Sequence, residues 1–281
     1  MVEYNSFTTE KGKGNPAGVV FLEGESPDAE SMLRIAKSFG FNETVFISPW
    51  EDSYRLRFFA PGHEVDLCGH ATIAALGYLR DNQLLSGGDV RIMTNIGAIH
   101  IGLGADEMGN PLVSMQQGES SFVDFKGSVE RLCGSLGMAV DDLDSSLPIV
   151  YGSTGIWTLL VPLKNRARLK DLKPNNAEFP SILEELPRAS VHPYSIESLA
   201  VDNAVHARHF SSPFSQTIED PVTGTASGVI GEFLLSRSPK DTAMVFTVHQ
   251  GAEVGRPGKV FVSAQRGKRV VISGHYVKNG D

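Results

Sequence analysis

Laid against itself, the chain repeats an ordered set of residues in its two halves, and this repeat restricts the available folds more than any single motif does. In the first half Arg57-Phe58-Phe59-Ala60-Pro61 leads to Asp66 and then to Gly69-His70-Ala71-Thr72. In the second, Arg208-His209-Phe210-Ser211-Ser212-Pro213 leads to Asp220 and then to Gly224-Thr225-Ala226-Ser227. From Phe to Gly is ten positions in the first copy and fourteen in the second, so the second carries a longer loop. Residues 69–79 (GHATIAALGYL) are apolar nearly all round, which a helix tolerates only when protein surrounds it. The repeat predicts two similar domains, each organised on one buried helix.

The flanking sequence supplies sheet. Tyr54, Leu56 and Phe58 alternate with Arg55 and Arg57, the period of a half-buried strand, and residues 44–48 read as another strand. Glu43 therefore stands where a loop enters a strand. Residues 90–103, 153–162 and 245–277 are strand material broken by Gly and Asn turns, with few helices between them. Ser26-Pro27 opens a helix with Met32, Leu33, Ile35, Ala36 and Phe39 on one face and Gly40 as its C-cap, and Cys133 falls in a second helix as a core residue. The expected class is α+β. Two domains, residues 1–118 and 119–281, meet at the polar turn near Gln116–Ser121, with the last residues free to return to the first, and each is an antiparallel sheet wrapped round its central helix.

Composition narrows the function. At 281 residues and 41% hydrophobic content the chain fills a sizeable core, and a net charge of −8 offers no basic face for a duplex. The N-terminus lacks the apolar segment of a signal peptide, and no run approaches the ~18 apolar residues of a membrane span. Two cysteines, Cys68 and Cys133, cannot build a disulfide framework or a four-cysteine zinc site. A cytoplasmic protein whose partner is a small molecule, with neither nucleic acid nor membrane, is the expectation.

Two equivalent loop-to-helix junctions suggest which small molecule. Each offers glycine-flanked backbone N–H groups at the positive end of a helix, at Gly69 and Gly224, an arrangement that suits a carboxylate. Clefts between domains are common ligand sites. Close packing of small residues would explain the glycines alone. It leaves unexplained the polar groups gathered beside them. His63, Glu64, Asp66, Cys68 and His70 crowd eight positions, yet without HExxH or paired-cysteine spacing, so no metal is expected. Gly102, Gly104 and Gly109 miss the dinucleotide spacing and read as a hairpin, and no Walker lysine follows GKGNPAG. The HQGAEVGRPG stretch could hold an anion through Arg256, but a turn between strands is the plainer account.

GNPAGVV (14–20), NETVF (42–46), DLCGHAT (66–72), EDPVTGTASG (219–228) and HQGAEVGRPG (249–258) stand in the order found in the PhzF-like phenazine-biosynthesis family, which the chain resembles from end to end. The resemblance implies a diaminopimelate-epimerase-like fold and a cofactor-free isomerase in which a glutamate moves a proton between carbons of a small, cyclic or amino-acid-like carboxylic acid. By motif matching that glutamate is Glu43, the family's histidine is His70, its aspartate Asp220, and its serine becomes Thr225. Cys68, Gly69, Gly224 and Thr225 are then expected to contact substrate.

The residues themselves allow these roles. A carbon acid needs a base beside its proton, and a carboxyl shut away from water holds a proton tightly enough to take and return it. A helix N-terminus disfavours a second positive charge, which predicts a neutral His70. Plainer roles stay open: a solvated loop glutamate, a core histidine, an N-cap aspartate. Cys68 matches the first catalytic cysteine of two-thiol epimerases, but the second thiol position resembles Asp220, so a racemase using Cys68 with Asp220 or Glu43 is the alternative enzyme. A binding protein without turnover is the alternative of another class. A homodimer is common in families of this kind, although no interface is legible here.

Overall fold

The structure, a computed structural model, describes residues 1–215 and 217–280. It divides into two compact units, Met1–Gln116 together with the segment from Ser273 onward, and Gln117–Ile272. Among the described residues no helix is long and apolar enough to cross a membrane.

In the first unit β1 (Val2–Ser6) and β2 (Asn15–Phe21) form a hairpin, and α1 (Ala29–Phe39) leads to β3 (Thr44–Trp50). Then follow β4 (Ser53–Phe59), β5 (Glu64–Val65), α2 (Gly69–Asp81), β6 (Gly88–Thr94), β7 (Gly97–Ala105) and β8 (Pro111–Gln116). The last strand of the chain, Val271–Asn279, lies beside β8 and pairs with β1, from Glu3↔Asn279 to Ser6↔Tyr276, so the sheet closes on itself. The helix α2 is buried along nearly its whole length, as an all-round apolar sequence requires. Asp28 rather than Ser26 caps α1, accepting from the Ser31 amide at 2.7 Å, and Gly40 ends it at φ 72° as expected.

The second unit contains β9 (Ser121–Asp124), α3 (Val129–Leu136), β10 (Val150–Ser153), β11 (Trp157–Pro162), α4 (Phe179–Ile182), β12 (Ser190–Ser195), α5 (Leu199–Asp202), β13 (Ala204–Ala207), α6 (Gly224–Arg237), β14 (Ala243–Gln250) and β15 (Gly258–Gln265). Its strand order is β9-β10-β11-β12-β13-β14-β15. Cys133 of α3 is a buried core residue among Leu132, Leu136 and Phe179.

The sheets are mixed, which corrects the antiparallel expectation. β2 runs parallel to β3 and β4 to β6; β11 runs parallel to β12 and β13 to β14. The reason is the crossovers. A parallel pair needs a connection long enough to bring the chain back in the same direction. α1, α2 and α6 supply three of these connections, and the segment between β11 and β12 supplies the fourth with only short helices, which hid it in the sequence. The same succession of pairings, antiparallel, parallel, antiparallel, parallel, antiparallel, runs through β1-β2-β3-β4-β6-β7 and through β10-β11-β12-β13-β14-β15. The helices α2 and α6 fall at the same place in it.

Candidate functional site

In the first unit Glu43 occupies the residue before β3, where its carbonyl accepts from the Gly18 amide at 3.1 Å. Its side chain is 23% exposed, and its Oε2 stands 3.2 Å from Nε2 of the nearly buried His70. His70 is the second residue of α2, and its own carbonyl accepts from the Ser6 hydroxyl at 2.6 Å. Cys68 is the N-cap of α2, in extended conformation. Its Sγ lies 3.4 Å from Nδ1 of His70. Three of the expected site residues are thus brought together, with the imidazole between a thiol and a carboxylate.

The electrostatics of the trio differ from the expectation of a neutral ring. Burial disfavours an imidazolium, but contact with Cys68 and Glu43 outweighs it and holds His70 well above the ordinary histidine value. Burial pushes the Cys68 thiol up, and contact with His70 offsets part of that rise. Among the described residues this trio is also the one group of donor atoms close enough to share a cation, all within 4.8 Å. Glu64, counted in the sequence among possible ligands, is held by Arg57 and Asn95.

The second unit gathers the other expected residues at the start of α6. The Asp220 amide donates to the His209 carbonyl at 3.0 Å, and Oδ2 of Asp220 accepts from the Thr223 hydroxyl at 2.5 Å. Gly224 is buried and Thr225 half-buried in the first turn. The HQGAEVGRPG stretch is a turn between β14 and β15, as expected, with Gly251 and Gly255 both at positive φ.

Sequence reasoning missed one pair in each unit. Arg57 forks onto Glu64 with both contacts at 2.7 Å, and Arg208 forks onto Glu219 at 2.9 and 2.6 Å. Each guanidinium also lies over the Phe two residues on, 5.3 Å from Phe59 and 4.8 Å from Phe210. The signal was available: a Glu stands five residues before the helix-starting Gly in both halves. With these pairs as the ruler, Asp220 falls opposite Val65 and Asp66 opposite Pro221, so the Asp66–Asp220 match read from the sequence is one residue out of register.

A family model described as "Phenazine biosynthesis-like protein" matches residues 4–279. The chain is 44% identical over 262 residues to the uncharacterized isomerase YfhB of Bacillus subtilis, covering 92% of this chain and 88% of that one. A crystal structure of a PhzF-family phenazine biosynthesis protein from Bacillus anthracis is 43% identical and superposes with a TM-score of 0.94 over 99% of this chain and 96% of that one. A probable proline racemase from Agrobacterium radiobacter, 14% identical with a TM-score of 0.63 over 99% and 90% of the two chains, shares the epimerase-type fold. The chain belongs to the phenazine biosynthesis-like (PhzC-PhzF) family.

Proposed function

We propose that this member of a family whose relatives are named isomerases moves a proton between carbons of a small carboxylic acid, with Glu43 as the acid/base group. The observation that carries the reading is the 3.2 Å contact between Oε2 of Glu43 and Nε2 of His70, beside the N-terminus of α2. The contact orients the carboxylate, and the reading gives its other oxygen the carbon acid. The proton leaves the substrate carbon for Glu43, the electron pair moves into the conjugated system of the substrate, and the same carboxyl, 23% exposed and so able to exchange its proton with water, delivers a proton to a second carbon. No electrons are gained or lost overall, so the reading needs no cofactor. His70, held toward its charged form, stabilises negative charge developing nearby. Amides at a helix start suit a carboxylate, and contact with substrate is assigned to Cys68 and Gly69 at the start of α2 and to Gly224 and Thr225 at the start of α6. Asp220 is assigned the second polar role, orienting an amine or hydroxyl. The repeated order of strand pairings and the repeated Arg–Glu pair support a duplicated origin for the two units.

The test is deuterium incorporation from D2O into a panel of small amino and cyclic carboxylic acids, comparing wild type with Glu43→Gln. Label should enter one compound and fall about 10²- to 10⁴-fold in the variant, the range for a positioned acid/base group. Undiminished label in Glu43→Gln sinks the assignment.

A second reading is favoured by the 3.4 Å approach of Cys68 to His70: an epimerase in which Asp220 or Glu43 takes the proton from one face of an α-carbon and the Cys68 thiol delivers one to the other. Cys68→Ser separates the two, since it abolishes epimerisation and leaves a Glu43-driven shift measurable.

A further inference from the structure

Threonine is favoured at a helix N-cap because its hydroxyl can accept from the first free amides of the helix. Thr223 stands at the N-cap of the 14-residue α6 in extended conformation, and its hydroxyl makes no capping bond. That hydroxyl donates to Oδ2 of Asp220 instead. Its direction is fixed by Gln250, the glutamine of the HQG stretch at the end of β14. The buried amide of Gln250 donates to Oγ1 of Thr223 at 3.2 Å and to the Asp220 carbonyl at 2.8 Å, and its Oε1 accepts from the Thr223 amide at 3.2 Å. With an amide donor already on Oγ1, the hydroxyl proton is left to the carboxylate. Gly251 follows Gln250 at φ 90°, and a Cβ there would come within 2.6 Å of the Pro221 carbonyl and 2.3 Å of the Arg256 carbonyl. The turn must therefore approach the Asp220 loop by bare backbone.

We infer that Thr223 and Gln250 are positioning residues that fix the carboxylate of Asp220 in the orientation its reaction requires. The inference rests on the role for Asp220 proposed above. It gives the HQG stretch a purpose that neither an anion site at Arg256 nor a plain turn provides: the stretch delivers one buried amide that holds backbone and hydroxyl together.

Three variants and a control test it, using deuterium uptake by whichever acid of the D2O panel takes up label. Thr223→Val keeps the shape and removes the hydroxyl; Thr223→Ser restores the hydroxyl; Gln250→Glu keeps the acceptor and removes both amide donors. The expected result is a fall in kcat of about tenfold or more in Thr223→Val and Gln250→Glu, the scale of one hydrogen bond to a charged group, with KM changed less than twofold and Thr223→Ser near wild type. A readout independent of substrate is the 13C NMR signal of Asp220 in protein labelled at aspartate Cγ, assigned by its disappearance in Asp220→Asn. It should move in Thr223→Val and Gln250→Glu and return in Thr223→Ser. If Asp220→Asn is inactive while Thr223→Val retains full kcat and an unmoved signal, the inference falls and the proposed function stands. If Thr223→Ser fails to restore what Thr223→Val loses, the effect belongs to packing and the inference falls. Full activity in Asp220→Asn removes the role of Asp220 and the inference with it, leaving Glu43 to be judged by its own variant.

Discussion

Acidification should loosen the second unit through a pair of histidines that the proposed chemistry does not use. His192 and His209 meet Nδ1 to Nδ1 at 3.1 Å, one fully buried and the other 8% exposed. Two neutral rings can share that contact when one carries its proton on Nδ1 and the other on Nε2, whereas two imidazolium rings would set N–H against N–H. Burial pushes His209 down to about 4, and burial together with His209 pushes His192 well below its ordinary value. An unfolded histidine titrates near 6.5, so between that value and 4 the unfolded chain binds protons that the folded one refuses. The resulting stability is fully present above about pH 6.5 and is lost as pH falls toward the folded value. For His209 alone, a depression of roughly 2.5 units at 1.36 kcal/mol each is worth about 3 kcal/mol, and His192 adds with the same sign. Against a typical total of about 5–15 kcal/mol, this is a large fraction.

Trp157, packed against the core of the second unit, reports on this loss. Urea unfolding followed by its fluorescence in a Trp50→Phe background, at pH 7.5 and 5.0, should show the wild type losing about 2 kcal/mol or more at the lower pH relative to His192→Gln/His209→Gln. His70 acts in the opposite sense, its stability complete below about 6.5 and declining as pH rises toward its folded value, and it does so in both proteins, so the comparison between them removes it. A double variant with the same pH difference as the wild type would refute the reasoning.

Three further outcomes follow from the geometry. Arg208→Leu leaves Glu219 without its guanidinium at 8% exposure and should cost about 3–5 kcal/mol, while Arg57→Leu, whose pair is 21% and 24% exposed, should cost clearly less; urea midpoints of the two variants check the order. Gly231→Ala places a Cβ 2.5 Å from Cγ1 of Val262 and should lose about 1–3 kcal/mol in thermal unfolding, most of it recovered by adding Val262→Ala. Because the Cys68 thiol is pushed up, iodoacetamide should alkylate it more slowly at pH 7 than a free thiol, with the rate climbing above about pH 8.5; rapid alkylation at pH 7 would show a thiolate and favour the epimerase reading.

The buried helices were legible because their sequences have no polar face: nothing but a protein shell accommodates Ile73, Ala74, Ala75 and Leu76 on successive sides of one helix. Cys133 was legible for a similar reason, its neighbours in α3 placing it on the inner face. The proximity of Cys68 and His70 could be read from their spacing around a helix start. The place of Glu43 beside them could not, because it depends on β3 lying against β2 in parallel, and the crossover that makes this pairing is α1, whose destination no local pattern specifies. Asp220 was singled out in the sequence and Thr223, three residues on, was not, because the residue that fixes their geometry, Gln250, arrives from the end of β14. Local chemistry was visible wherever partners were close in sequence. It was hidden wherever a strand register brought them together.

The repeat that constrains the fold also shows where its chemistry was placed. In each unit an arginine, Arg57 within β4 and Arg208 just past the end of β13, forks onto a glutamate five residues before the helix-starting glycine, and the residue three after that glycine returns a hydroxyl to the N-cap carbonyl, Thr72 to Cys68 and Ser227 to Thr223, both at 2.8 Å. These parts hold the helix start in position, and they are the same twice. What differs is the N-cap and the second helical residue: Cys68 and His70 in one unit, Thr223 and Thr225 in the other. A thiol and an imidazole can carry protons near neutral pH, while a threonine hydroxyl can orient a neighbour but does not itself ionise there. Division of labour follows from that difference. On the proposed function the first unit would move a proton through Glu43 and His70, and the second would hold a carboxylate, Asp220, still. Of the two N-cap exchanges, Thr223→Cys should therefore disturb the fixed geometry of Asp220 and move its carboxyl signal, while Cys68→Thr should leave that signal in place and Glu43-driven deuterium uptake measurable.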